Sequence, residues 1–224
     1  MRWTIVIWLL LAFWEHVSAQ TDSLCSSRLA PFVKVGYTAG FMAGGDAIKN
    51  GSNKGLHFEI GTQIPLSQRN NEEFLVVPSL RYIEKGDRWV HEMGTISICS
   101  KYLEIPLRFV YHVPFENHKG YLLMGGGPYV GYALSGSISS NDRLYIYNGY
   151  RLQDSLDLFG SEIRASRWDC GINLMIGWQF WHFLISTDVD FGFINVLPKR
   201  ITYNRNSTNI DLSFSLGFIF YLQR

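Results

Sequence analysis

The sequence predicts an all-β protein, an eight-stranded antiparallel up-and-down transmembrane β-barrel. Three observations carry this. Large apolar residues recur at every second position in eight segments, the period of a strand with two unlike faces. The opposite face is glycine-rich and polar. The connections alternate short and long along the chain. The final stretch, 209–224, is the clearest case: Ile210, Leu212, Phe214, Leu216, Phe218, Phe220 and Leu222 alternate with Asp211, Ser213, Ser215 and Gly217.

The other strands repeat the pattern. The first, about 32–43, sets Val33, Val35, Tyr37, Ala39 and Phe41 against Lys34, Gly36, Thr38 and Gly40. The second, about 55–66, sets Leu56, Phe58, Ile60 and Ile64 against His57, Glu59, Gly61 and Gln63. The third, about 74–85, has Val76, Leu80 and Tyr82 opposite Ser79 and Arg81. The fourth, about 101–113, has Leu103, Ile105, Leu107, Phe109 and Tyr111 opposite Glu104, Pro106, Arg108 and His112. The fifth, about 120–134, has Leu122, Met124, Val130, Tyr132 and Leu134 opposite Gly125, Gly127, Gly131 and Ala133. The sixth, about 167–178, sets Trp168, Ile172, Leu174, Ile176 and Trp178 against Asp169, Gly171, Asn173 and Gly177. The seventh, about 182–194, sets Phe183, Ile185, Val189, Phe191 and Phe193 against Ser186, Asp188, Asp190 and Gly192.

Short connections are expected at about 67–73, 114–119 and 179–181, and longer ones at about 44–54, 86–100, 135–166 and 195–208. Short turns at one end and long loops at the other, with an even strand number, are what outer-membrane barrels show. The 135–166 segment carries its own Tyr, Leu and Phe residues, so local structure is expected there.

Alternation does not say which face is inside, since a lipocalin-like soluble barrel hides its apolar face in the lumen. Volume separates the two. An eight-stranded barrel has an interior just wide enough for side chains to fill. The apolar face carries Phe, Tyr, Trp, Leu and Ile on nearly every strand, while glycine suits a crowded lumen. The aromatic face is therefore assigned to lipid. Closure follows, because in lipid every backbone polar group must pair internally. Pro78, Pro106 and Pro128 oppose this, each removing a ladder donor, and a bulge is expected where Pro106 and Pro128 neighbour each other.

The lumen then holds Lys34, Glu59, Arg81, Glu104, Arg108, Asp169, Asp188, Asp190 and Asp211. Buried charges must be paired or hydrated, and both signs are present, so an ion-pair network is expected. The alternative, a proton or small-ion path, conflicts with a filled lumen. Phe218 and Phe220 are the candidates for a C-terminal assembly signal read by the barrel-assembly machinery during biogenesis.

Composition agrees with this class. The 224 residues are 47% hydrophobic and 17% charged, against about 25% charged in soluble domains. A net charge of +1 gives no reason to expect nucleic acid as a partner. Residues 1–19 read as a signal peptide: Arg2, an apolar run from Trp3 to Trp14, and a small-residue cleavage site ending at Ala19. The run is shorter than the ~20 residues a spanning helix needs. Residues 20–31 are expected as a periplasmic N-terminal segment and 32–224 as the barrel. The sparse set Cys25, Cys99 and Cys170 makes no disulfide framework.

Nothing in the sequence carries a catalytic, metal or cofactor motif. The histidines lack metal-ligand spacing, and "GGGPYVG" opens no helix that could bind phosphate. A lipid-modifying enzyme would need Ser, His and an acid near the extracellular rim; His91, Glu92 and the serines within 135–140 are available, but no spacing ties them together. A non-enzymatic barrel is expected, with outer-membrane lipid and lipopolysaccharide as surroundings.

"LEIPL" (Leu103 to Leu107) followed by "GGPYVG" (Gly126 to Gly131) resembles the small outer-membrane β-barrel domain of Bacteroidetes often called PorT-like. "VGYTAGF" (Val35 to Phe41), "PSLRYIEKG" (Pro78 to Gly86) and "WDCGINLMIGWQF" (Trp168 to Phe180) resemble its first, third and sixth strands. The resemblance implies the outer membrane of a Gram-negative bacterium. It leaves two roles open: a structural or surface-interaction barrel, and an accessory of type IX protein secretion working with other envelope proteins.

Overall fold

A computed structural model describes residues 29–43, 50–69, 72–91, 94–115, 120–140, 146–147, 150–151, 155–198 and 207–221. The expected signal peptide lies outside them, as does most of the segment that follows it. The described strands are β1 (Ala30–Ala43), β2 (Asn50–Arg69), β3 (Glu72–His91), β4 (Gly94–Pro114), β5 (Tyr121–Ser140), β6 (Ile146–Tyr147), β7 (Tyr150–Arg151), β8 (Leu156–Asp157), β9 (Trp168–Phe180), β10 (Phe183–Gly192) and β11 (Thr208–Ile219).

Eight of these, β1 to β5 and β9 to β11, close into an antiparallel barrel. Closure runs through β1 against β11, with Val33 opposite Phe218 and Gly40 opposite Asp211. It is completed by β5 against β9, where Leu122 faces Trp178. Among the described residues no sheet edge is left in the barrel wall, as a hydrocarbon surrounding requires.

The period-two pattern sorts the side chains as the volume argument demands. Outward residues stay exposed: Val35 59%, Leu56 60%, Leu174 50% and Leu216 63%. Inward neighbours are buried: Lys34 1%, Glu59 1% and Asp211 1%. An apolar exterior around a polar interior is the inverse of a soluble barrel.

Two expectations are corrected. The 86–100 region is not a loop. β3 continues to His91 and β4 begins at Gly94, paired from Lys85↔Ser100 to His91↔Gly94. Alternation persists there, with Ile83, Lys85 and Asp87 buried, so the hairpin rises past the lipid-facing band. The prolines mark no bulge either. The β4–β5 register is the same at Pro106↔Tyr129 and at Phe109↔Gly126. The β3–β4 ladder likewise pauses after Pro78↔Leu107 and resumes at Arg81↔Glu104 with unchanged register. The missing donors thus interrupt pairing without shifting it. The shift in the β4–β5 pair falls at Lys101/Tyr102 instead, where Leu134 is the extra residue.

The segment after β5 does have structure. β6 pairs with β7, and β8 pairs with β5 at Leu156↔Ile138. Leu158 and Ile163 are fully buried, and Leu158 N–H donates to the Gly136 carbonyl at 3.0 Å. This cap meets the β10–β11 connection, where Ser166 N–H donates to the Val196 carbonyl at 2.8 Å.

Candidate functional site: the barrel interior

The interior is layered. At the end where β1 begins and β11 ends, an apolar cluster of Phe32, Leu75, Val77, Val110, Leu123, Met175, Leu184 and Ile219 crosses the bore. At the opposite end, Met42, Ile96, Ile98 and Ile138 from the walls pack with Leu158 and Ile163 of the cap and with Val196 and Leu197. The charged residues lie between.

All nine residues expected in the lumen are there, each no more than 1% exposed, and the structure brings them into two linked groups. In the first, Lys34 Nζ lies 3.0 Å from Glu59 and 3.4 Å from Asp188. Arg108 spans the same two carboxylates, at 2.5 Å and 3.1 Å. In the second, Arg81 Nη2 lies 2.6 Å from Glu104 and 2.5 Å from Asp190. Asn173 joins the groups: its carbonyl accepts from Arg108 Nε at 2.5 Å, and its amide donates to Asp190 at 2.5 Å.

Sequence reasoning missed Lys85, which holds the second group together. Its ammonium lies 2.7 Å from Glu104, 2.9 Å from Asp211 and 3.3 Å from Asp169. The signal was available, since Lys85 shares the parity of Arg81; ending the strand at 85 hid that the lumen continues. Lys85 also lies 4.8 Å from the ring centre of Tyr129, a desolvated cation–π contact.

His57 is buried among hydroxyls, with Nδ1 3.0 Å from Thr38 and Nε2 2.8 Å from Ser215. His112 sits 3.2 Å from Glu73 and stacks on Tyr121 at 4.1 Å. Among the described residues, no group of three or more His, Cys, Asp or Glu is arranged to hold a metal ion. The candidate serines lie in β5, where Ser135 to Ser140 pair through the backbone with Lys101 to Ile96 of β4. His91 ends β3, and Glu92 lies outside the described residues. Cys99 and Cys170 are free, and Cys25 lies outside the described residues.

Phe218 and Phe220 point outward, 37% and 47% exposed, with ring centres 5.0 Å apart. They belong to an aromatic group at the terminal end. His182 stacks on Phe218 at 5.3 Å, and Phe183 meets it edge-on at 5.7 Å. Trp181, in the β9–β10 turn, takes the left-handed conformation (φ 52°) and is 73% exposed.

The outer membrane protein beta-barrel domain matches residues 18–197. The chain belongs to that family. Similar solved structures include Ail, the attachment invasion locus protein of Yersinia pestis (16% identity, 85% of this chain and 98% of that one, TM-score 0.44). A second structure of Ail, in complex with the heparin analogue sucrose octasulfate, has 14% identity over 86% and 99% of the two chains (TM-score 0.44). Neisserial surface protein A has 9% identity over 87% and 97% (TM-score 0.44). No curated protein matches the sequence significantly. Within the family's barrel, the site of interest is the charged middle layer and the two apolar layers that bracket it.

Proposed function

We propose that the protein is a non-enzymatic, non-conducting barrel of the bacterial outer membrane, exported by the signal at 1–19, with a structural or surface-interaction role. The observation that carries this is the bracketed interior. A conducting pore needs a continuous hydrated path. Here Arg81, Arg108, Lys34 and Lys85 each face carboxylates across the bore, and apolar layers cover them at both ends. Eight strands leave little room beyond the side chains themselves. The test is single-channel recording in planar bilayers: no stable conductance is expected, and a reproducible nanosiemens channel would overturn the reading.

A PorT-like secretion role is a second reading. It rests on the resemblance of "LEIPL" and "GGPYVG" to the PorT-like domain, two motifs that lie on the paired strands β4 and β5. Deleting the gene and measuring release of type IX cargo separates the two roles. Lost secretion supports the accessory role, and normal secretion ends it.

A further inference from the structure

The two charge groups of the lumen differ in balance. The group nearer the start of β1 holds Lys34 and Arg108 against Glu59 and Asp188, two cations for two anions. The group nearer the cap holds Arg81 and Lys85 against Glu104, Asp169, Asp190 and Asp211, two cations for four anions. The whole excess of negative charge therefore sits around Lys85. Asp87, two residues further along β3, lies outside this group; its carboxylate accepts from Arg88 N–H at 2.8 Å and has other partners. Two uncompensated charges in a buried, low-dielectric interior are costly, so the imbalance needs an answer.

The hydrogen bonds locate it. Asp190 is supplied on both oxygens, by Arg81 and by Asn173. Glu104 receives Arg81 on Oε2, while Oε1 lies 2.7 Å from Lys85 without a well-aligned hydrogen bond. Asp169 Oδ2 receives Tyr129, Asn209 and Lys85. Asp211 has Lys85 alone, and neither of its oxygens accepts a well-aligned hydrogen bond. Beside it, Asp169 Oδ1, Asn209 Oδ1 and Tyr102 Oη are also buried with no hydrogen-bond partner among the described residues. Tyr102 is 0% and Asn209 1% exposed. Three of these four groups offer only acceptor oxygens there. β1 and β10 contribute glycines at this level: a Cβ on Gly40 would lie 3.0 Å from Asp211 Oδ1, and one on Gly192 would lie 2.9 Å from Asp169 Oδ1. Backbone therefore packs close against these oxygens at both glycines, with no side chain between.

We propose that this cap-side group is a binding site for a compensating monocation, a proton or an alkali ion, seated at Asp211. The inference extends the sealed-lumen reading but does not need it, since a conducting barrel could carry the same site. A divalent metal does not fit, because the Lys85 ammonium already stands among three of the carboxylates and no metal-type cluster is present among the described residues.

The test is chemical unfolding of the full chain, refolded in detergent micelles, at constant ionic strength. One arm exchanges sodium for a bulky organic cation at fixed pH. The other varies pH from about 6 to about 9 without sodium, a range in which ordinary carboxyls stay ionised. A ligand that binds only the folded state stabilises in proportion to the logarithm of its concentration. An alkali ion gives stability that rises with sodium. A proton gives stability that falls as pH rises, since the folded state binds the extra proton. His57 contacts Thr38 and Ser215 rather than the Asp211 group, whose acceptors come from β4, β9 and β11, so a His57→Gln variant, expected to keep the wild-type slopes, serves as the reference. Asp211→Asn lowers the excess and should remove about one ion's worth of slope. Lys85→Met raises it and should steepen the slope, which keeps the test decisive if Asp211→Asn does not fold. Wild-type stability indifferent to both variables overturns the proposal, as does an Asp211→Asn slope equal to wild type.

Discussion

Arg81 and Glu104 stand directly opposite each other on β3 and β4, and Nε and Nη2 of the guanidinium converge on one carboxylate oxygen at 3.1 and 2.6 Å. Both side chains are no more than 1% exposed. The pair is where β3 and β4 resume their ladder after the proline gap, so side-chain pairing holds the sheet where backbone donors are missing.

Removing one partner is therefore costly. Arg81→Met leaves Glu104 and Asp190 without their guanidinium in a group already rich in carboxylates and should destabilise the barrel by about 3–5 kcal/mol. The double variant Arg81→Met with Glu104→Leu should recover much of that loss. Urea unfolding in micelles checks both; equal destabilisation by the single and double changes would contradict the pairing argument.

The lipid face makes an independent prediction. Leu174 is outward and half exposed near the middle of β9. Leu174→Arg should cost about 2–4 kcal/mol in a bilayer and less in detergent, where water reaches the wall. Comparing unfolding in vesicles and in micelles reads the difference, and no difference would argue against lipid on this face.

Close backbone approach fixes one glycine. A Cβ on Gly171 would run into the Phe191 carbonyl on β10, with the Gly192 Cα at 2.9 Å. Gly171→Ala should separate β9 from β10 and abolish the heat-modifiable folded band on gels. A normal folded band would mean the two strands can give way.

The cap depends on two buried side chains. Leu158→Ala removes a fully buried side chain from the apolar layer at the loop end, a loss of about 2–5 kcal/mol at sites of this kind. The cap should loosen before the barrel unfolds. Limited trypsin digestion should then cut at Arg164 or Arg167 in the variant, with wild type resisting under the same conditions.

The aromatic end of β11 bears on assembly. Phe218→Ser with Phe220→Ser removes two outward rings from the terminal group without touching the lumen. Refolding into vesicles supplemented with assembly machinery should slow, while the unfolding midpoint changes little. An equal slowing without the machinery would assign the rings to lipid insertion alone.

Much of the molecule was legible in its alternation. Parity placed Lys34, Glu59, Arg81, Glu104 and Arg108 on one face because a strand's side chains have a fixed period of two. The same parity holds for Lys85, which lies inside the expected strand but was not assigned to the lumen; the rise of the β3–β4 hairpin was missed because the strand was ended where the lipid-facing apolar residues stop. Apolar alternation reports contact with lipid, not the length of a strand, and beyond the membrane a strand continues on hydrogen bonds alone. The prolines misled in the opposite sense. A lost donor reads as a break or bulge in one dimension, whereas the paired ladders on either side hold the register across the gap.

What the sequence determined by itself is the barrel, its strand number and which face meets lipid, since all three follow from local periodicity and side-chain volume. Which charges meet was decided only by the tertiary structure. Lys34 and Asp188 are 154 positions apart, and Arg81 and Asp190 are 109 apart; closure of β1 on β11 brings such pairs together across the bore. The tilt and register of that closure leave the group around Lys34 balanced and the group around Lys85 with more carboxylates than cations. No local pattern encodes that difference, because it depends on the sum of charges gathered from strands β3, β4, β9, β10 and β11 in one low-dielectric volume.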